Sequence, residues 1–372
     1  MTRDNAITTE KISAARTGIS SSPDGQPVSA AVLPVNPADF SDWDARVMAH
    51  SHYTFFHGAA WAKVLEKTYG FAPVYLSTGA SGASRSLLPM MEVKSWLTGR
   101  RAVGLPFTDD SGPLGSAEEC RKLFWDAVEL GKVRGWKSVE CRGGRAWLEG
   151  APASLEFHGH RVELESDVDR QFGRLEGSVR RAIRKAEKSG VTTAVSQTLE
   201  ATKIFYELQC KTRKKHGLPP QPFAFLRNIH EHILSRNLGN IVIARHQDRP
   251  IAASVYFKMG GRAIYKFGAS DEAFQELRGA NLVMWEAIKW HARNGVRTLH
   301  LGRSSLWNEG LRRYKLGWGA VEERIEYVKY DLRTKQFVLD KDNASGWHNQ
   351  VFRRMPLPLS RLVGGVLYRH SA

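Results

Sequence analysis

The chain has 372 residues, long enough for two ordinary domains, and 42% of them are hydrophobic, which supports real cores. Its net charge of +16 points to polyanionic partners, whether nucleic acid, anionic lipid or phosphate-rich substrates, without choosing among them. Cys120, Cys141 and Cys210 stand far apart with no C-x-x-C spacing, which argues against a disulfide or cysteine–metal framework and fits a reducing cytoplasm. No run approaches the roughly 18 apolar residues of a membrane span.

Residues 1–27 are polar and read as a disordered tail. Alternation predicts a strand over 30–35, then helices over 37–50 and 58–69 and strands over 73–77, 86–93 and 101–105. The irregular loop Pro106-Phe107-Thr108-Asp109-Asp110-Ser111-Gly112 leads to a helix over 117–134 and strands over 138–142 and 154–165. In 172–190, Phe172, Leu175, Val179, Ile183 and Ala186 form an apolar stripe among Arg174, Arg180, Arg181, Arg184, Lys185 and Lys188, the pattern of a basic amphipathic helical region. The second half repeats the order: a strand from Val191, helices over 200–216 and 222–236, strands over 241–245, 251–257 and 264–267, a long helix over 279–294 and a strand over 298–301. The expected architecture is α/β (α+β), with a first domain over 28–170, a connection over 171–190, a second domain over 191–350 and an apolar-basic segment over 351–372.

Three features of the last third carry chemistry. Arg278-Gly279-Ala280-Asn281 opens the long helix, and a helix start behind a glycine-containing loop offers free N–H groups to phosphate. Leu301-Gly302-Arg303-Ser304 forms a corner at a strand end, where Gly302 suits a positive φ. Tyr314-Lys315 follows, with Arg312 and Arg313 beside it. An ammonium near a reacting ester stabilises developing charge without proton transfer, and an aromatic ring can stack on a base; the plain alternative is a solvated basic helix end. Arg180, Arg184 and Lys185 either grip phosphates or form an ordinary charged helix face. Lys266 faces the same cleft or solvent. Asp109 and Asp110 are neighbours and point apart, so one of them receives a proton from an incoming amine or both serve turn chemistry. Phe55, Phe56 and Trp61 line an acceptor cleft or the core. No carboxylate or cysteine partner has ligand spacing near His158 and His160, so no metal is expected.

The set SVRRAIRKAEKSGV, KTRKKHGLPP, YKFGASD, GANLVMWEAIKW, LHLGRSS and RRYKLGWG resembles the FemA/FemB-type aminoacyltransferases, within the wider GNAT acyltransferase superfamily. The resemblance covers roughly 30–355. It implies two tandem GNAT-like domains with mixed, largely antiparallel sheets, and an amide-forming enzyme with no bound cofactor. It places Tyr314 and Lys315 at the donor end as catalytic residues, and Arg180, Arg184, Lys185, Lys266, Arg278, Gly279, Arg303, Ser304 and Asp109 around the substrates. The co-substrate it implies is aminoacyl-tRNA, and the acceptor a peptidoglycan-type cell-envelope precursor. Two departures, the absence of a long helical hairpin arm and the Leu301–Ser304 corner, bring in an alternative: acyl-CoA-dependent N-acylation of an amino sugar in exopolysaccharide assembly. A non-catalytic polyanion-binding module is the third reading. The expected location is the cytoplasm, with the 353–368 segment either lying on anionic membrane or packed on the second domain, and DNA is not an expected partner.

Overall fold

Alternation of apolar residues builds the strands and decides which side each one faces. The computed structural model describes residues 34–78, 86–340 and 348–370; the tail over 1–27 and most of the strand expected over 30–35 lie outside them. The strands of the first half are β1 (Ala72–Pro73), β2 (Leu76–Thr78), β3 (Ser86–Leu88), β4 (Met91–Ser95), β5 (Gly99–Val103), β6 (Ser138–Arg142) and β7 (Leu155–Glu163). The second half adds β8 (Thr192–Ser196), β9 (Gly239–His246), β10 (Arg249–Met259), β11 (Arg262–Ser270), β12 (Thr298–His300), β13 (Ser304–Ser305), β14 (Val321–Asp331) and β15 (Gln336–Phe337). The first helices are α1 (Trp43–Met48), α2 (Ala59–Tyr69), α3 (Ala117–Arg134), α4 (Val168–Gly173) and α5 (Gly177–Lys188). They are followed by α6 (Leu199–Lys215), α7 (Phe223–His232), α8 (Gly279–Arg293), α9 (Glu309–Leu316), α10 (His348–Arg354) and α11 (Leu357–Leu367).

One sheet joins both halves in the order β1-β4-β5-β6-β14-β7-β12-β11-β10-β9-β8. Its pairs are antiparallel except β5 with β6 and β11 with β12. Strand β14 comes from the end of the chain, yet it lies between β6 and β7 of the first half. In the second half, Ile241, Ile243, Ala253, Val255 and Phe257 enter a core shared with α2, α6 and α7. Their neighbours Val242, Ala244, Ala252 and Tyr256 enter a separate core under α5 and α8. The sheet therefore keeps two cores apart, and anything crossing it must use a break in the strands.

Helix ends follow their capping residues. The Ser116 hydroxyl accepts the Glu119 N–H at the start of α3, and Gly135 ends the helix in the left-handed conformation. The Thr198 hydroxyl likewise accepts from Ala201 at α6. The basic segment over 172–190 is not one helix: Asp167 caps an earlier start, at α4, and the chain turns at 174–176 before α5. Glycine at 173 and 177 makes that break inexpensive. The helix expected over 37–50 is a single 3-10 turn, Pro37–Asp39, followed by the short α1. No helix among the described residues is long and apolar enough to cross a membrane.

Candidate active site

Strands β11 and β12 run parallel for three residue pairs, ending at Ile264 opposite His300, and then part. The break comes at Gly302, whose φ of 73° turns the chain out of the sheet. A side chain there would have room, since the nearest atoms are the Asp109 carboxylate and the Tyr265 carbonyl at 3.7 Å. Backbone conformation, not space, selects glycine. Lys315 of α9 reaches this corner. It is 4% exposed, and its Nζ donates to the carbonyls of Gly302 at 2.8 Å and Arg303 at 2.9 Å. Burial lowers its pKa to about 8, with Asp109 opposing the shift and Arg303 adding to it.

Lys266 of β11 points inward rather than to solvent. Its side chain is 6% exposed, with Nζ 3.2 Å from Asp109 Oδ2 and 5.0 Å from the centre of the Phe56 ring. Burial pulls the Lys266 pKa down while Asp109 works against that. Burial also disfavours the Asp109 anion, yet Lys266 and then Arg303 hold its pKa below the ordinary carboxylate value. The Arg303 guanidinium lies 4.1 Å from the Phe157 ring centre and 5.2 Å from that of Tyr327, and it donates to the Tyr327 hydroxyl. That hydroxyl donates in turn to the Asp109 carbonyl at 2.8 Å. Asp109, Lys266, Arg303 and Lys315 thus form one cluster with more positive than negative charge, beside the parting of β11 and β12. Such a place stabilises an anion that develops there.

The loop carrying Asp109 is held in an uncommon conformation, with positive φ at Leu105 and Phe107. His57 Nε2 donates to the Gly112 carbonyl at 2.8 Å, while its Nδ1 accepts the Thr54 N–H at 3.1 Å. Burial lowers the His57 pKa to about 4, so it holds the loop as a neutral ring. Asp110 does serve turn chemistry, its Oδ1 accepting the Gly112 N–H at 3.1 Å. Burial pushes its pKa up, the reverse of Asp109.

On the α5–α8 side, an open hollow of about 570 Å³ is lined by Arg181, Lys185, Arg278, Arg313 and Tyr314. A second hollow of about 360 Å³ continues along α5, where Arg184 and Lys188 join Arg181 and Lys185. A third, of about 290 Å³, shares Arg278, Asn281 and Tyr314 with the first and lies at the start of α8. No side chain caps that start: Arg278 occupies the N-cap position with a φ of 57°. Gly279 is needed for packing, because a Cβ there would stand 2.8 Å from Ile251 Cδ1. The joined hollows form a basic groove ending at uncapped helix amides.

A fourth cavity, of about 420 Å³, opens beside Phe55, Phe56 and Ile264, on the other side of the sheet. Asp110, His300 and Glu323 also line it. His300 Nδ1 accepts the Gly302 N–H at 3.0 Å, so its Nε2 carries the hydrogen donated to Glu323 Oε1 at 3.1 Å. The sheet break at Gly302 therefore borders both the Lys315 cluster and this cavity. Trp61 lines none of these hollows and is fully buried in the core.

Two predicted residues stand apart. Arg180 is half-buried on α5 outside the lining of these hollows, and Ser304 is buried on β13 opposite His158 with no hydrogen-bond partner for its hydroxyl. Sequence reasoning passed over Arg181 as a groove residue, although it lies four residues before Lys185 and shares its helix face. It also passed over Tyr327, and over Glu322, which lies 3.1 Å from His158 and 3.4 Å from His160. Both come from β14, whose charged sequence VEERIEYVKYD hides its alternation.

Residues 173–320 match the family described as Acetyltransferase (GNAT) domain. Among the curated proteins no sequence matches. The crystal structure of FemX superposes with a TM-score of 0.62 at 14% identity, covering 76% of this chain and 94% of FemX. The C-terminal domain of a putative lysylphosphatidylglycerol synthetase from Agrobacterium fabrum gives 0.53 at 15% identity, over 81% of this chain and 93% of that one. A tandem GNAT protein from the clavulanic acid biosynthesis pathway gives 0.52 at 12% identity, over 81% and 98%. The mixed α/β fold with a largely antiparallel sheet is the expected one, and a tandem GNAT protein is among the structures that share it.

Proposed function

We propose, for a chain whose residues 173–320 match a GNAT acetyltransferase domain and whose fold resembles that of FemX, that this amide-forming acyltransferase moves an aminoacyl group from aminoacyl-tRNA to an amine of a peptidoglycan-type envelope precursor. The division into GNAT-like units over 28–170 and 191–350, joined through 171–190, belongs to the same proposal, with the tandem GNAT neighbour in its support. The observation that carries the reading is the pairing of a basic groove on one side of the sheet with a cavity on the other, at a break bordered by Lys315.

In this reading the phosphates of the donor lie along Arg181, Arg184, Lys185, Arg278 and Arg313, with Tyr314 at the donor's reactive end. Arg180 contributes to the field around the groove, and Gly279 sets the helix start. Trp307, exposed three residues before Gly310 of the groove lining, is a platform for a base. The amine enters through the 420 Å³ cavity. Its nitrogen bonds to the ester carbonyl carbon, the ester C–O bond breaks, and the departing ribose oxygen receives a proton. An ammonium has three donors, and Lys315 uses two on Gly302 and Arg303, leaving one for the oxyanion. Asp109 with Lys266 and Arg303 fixes the charge of the wall. Asp110, whose pKa is raised, is the better-matched proton acceptor from the amine. Both substrates meet in the cytoplasm, at the inner face of the membrane.

The uncapped α8 amides favour one rival: a pyrophosphate-bearing acyl-CoA would seat there equally well. Labelled aminoacyl-tRNA and labelled acyl-CoA, each offered with peptidoglycan precursors and amino sugars, separate the two. Label transferred from tRNA supports the proposal, and label transferred from CoA alone replaces it with the rival. Transfer from neither donor to any acceptor in the panel rejects both.

A further inference from the structure

Helix α11 and the β4–β5 hairpin meet at His370. Trp96 Nε1 donates to His370 Nε2 at 3.0 Å, and the two rings stand edge-on with centres 5.5 Å apart. His370 Nδ1 lies 3.0 Å from Ser95 Oγ, and Arg101 donates to the His370 carbonyl at 3.0 Å. The inner face of α11 is tied down as well. Gly364 sits so close to Pro220 that a Cβ would stand 2.0 Å from the Pro220 carbonyl oxygen, and the Tyr368 hydroxyl donates to Pro219 at 3.2 Å. With its C-terminal half held in this way, the outer row of the helix is Leu359, Leu362 and Val366, at i, i+3 and i+7. All three are exposed, Leu362 at 68%. At the hairpin tip Leu97 is exposed and Trp96 reaches 80%.

A fixed helix showing a row of large apolar side chains, next to an exposed tryptophan, is a surface that normally meets a partner. Its charges identify the partner. Neither 94–101 nor 348–372 contains an aspartate or glutamate, while Lys94, Arg100, Arg353, Arg354, Arg361 and Arg369 lie in these stretches. A second copy of the same face would bring cations against cations, because a two-fold interface sets a patch on itself. An anionic lipid surface neutralises them and accepts Trp and Leu at headgroup depth.

We propose that the α11 outer row and the Trp96–Leu97 tip dock on an anionic lipid bilayer. The apolar side chains enter the interface and the surrounding arginines face lipid phosphates. The surface shares no residue with the groove or the cavity, and the inference does not depend on the reaction.

The test is sedimentation of the full-length protein with vesicles of phosphatidylcholine, alone or mixed with phosphatidylglycerol. The protein is expected to sediment with the mixed vesicles only, and less at raised salt. Leu97→Ser combined with Leu362→Ser should lower the partition coefficient by about tenfold or more, since binding scales with inserted apolar area. Both positions are exposed, so an unchanged thermal unfolding midpoint confirms that the variant is folded. Absence of sedimentation with both vesicles overturns the proposal, as does equal partitioning of variant and wild type. A concentration-dependent dimer, seen by light scattering and abolished by the same variant, also overturns it by making the face a self-interface.

Discussion

Replacing Asp109 by Asn removes the anion of a buried cluster while keeping the shape of the side chain. Lys266 then faces Arg303 and Arg142 with no counter-charge, its side chain 6% exposed. Breaking a buried ion pair from one side costs about 3–5 kcal/mol. An independent ceiling agrees. The protein can escape the unpaired charge by releasing the Lys266 proton, and moving a lysine from its ordinary value of 10.5 to neutral at pH 7 costs about 5 kcal/mol at 1.36 kcal/mol per unit. Over a 372-residue chain, a loss of 3 kcal/mol lowers the melting temperature by about 4 °C. Urea denaturation measures the loss directly, and Lys266→Met added to Asp109→Asn should recover most of it. The sign with pH is fixed: Asp109 has a depressed pKa, so its contribution is present above the unfolded carboxylate value and disappears as pH falls through the lower folded one. Wild-type stability in Asp109→Asn, or a double variant no better than the single one, would refute the reasoning.

If the charged form of Lys315 assists transfer, kcat falls as pH rises through about 8, and Lys315→Arg removes that limb because arginine stays protonated. Its depressed pKa also means that stability rises with pH between about 8 and 10.5, where the unfolded chain binds the extra proton; the slope of unfolding free energy against pH checks this. Arg181→Ala or Arg313→Ala should raise KM for the anionic donor and reduce the log–log salt slope of its binding by about one, as measured by titration at several ionic strengths. Gly302→Ala should cost about 1–2 kcal/mol through the left-handed φ alone, with Gly302→Asn costing less; equal unfolding midpoints for wild type and the alanine variant would show that the corner can relax.

Much of the fold could be read from local rules, and the site only in pieces. Helices α2, α3, α6 and α8 lie within a residue of their expected bounds because caps and apolar spacing agree there. Strand β14 escaped because half of its residues are charged and its partners, β6 and β7, lie far back in the chain. Asp109, Lys266, Arg303 and Lys315 could each be singled out by motif, loop or strand position. Their assembly could not, since Asp109 and Lys266 stand 157 residues apart and the Tyr327 hydroxyl that links Arg303 to the Asp109 backbone sits on the unrecognised strand. The break in the basic helix was missed for a different reason: an apolar stripe persists across a turn when both segments pack on the same core.

The place of β14 also orders the birth of the molecule. As the chain leaves the ribosome, β6 and β7 are synthesised long before the strand that must lie between them. Until residue 331 has emerged, both keep unpaired edges toward the gap, and such edges recruit foreign strands. Nascent chains stalled before Val321 therefore carry two open strand edges. The Arg303–Tyr327–Asp109 link also closes only after this late insertion, so a truncated translation product cannot carry the finished site.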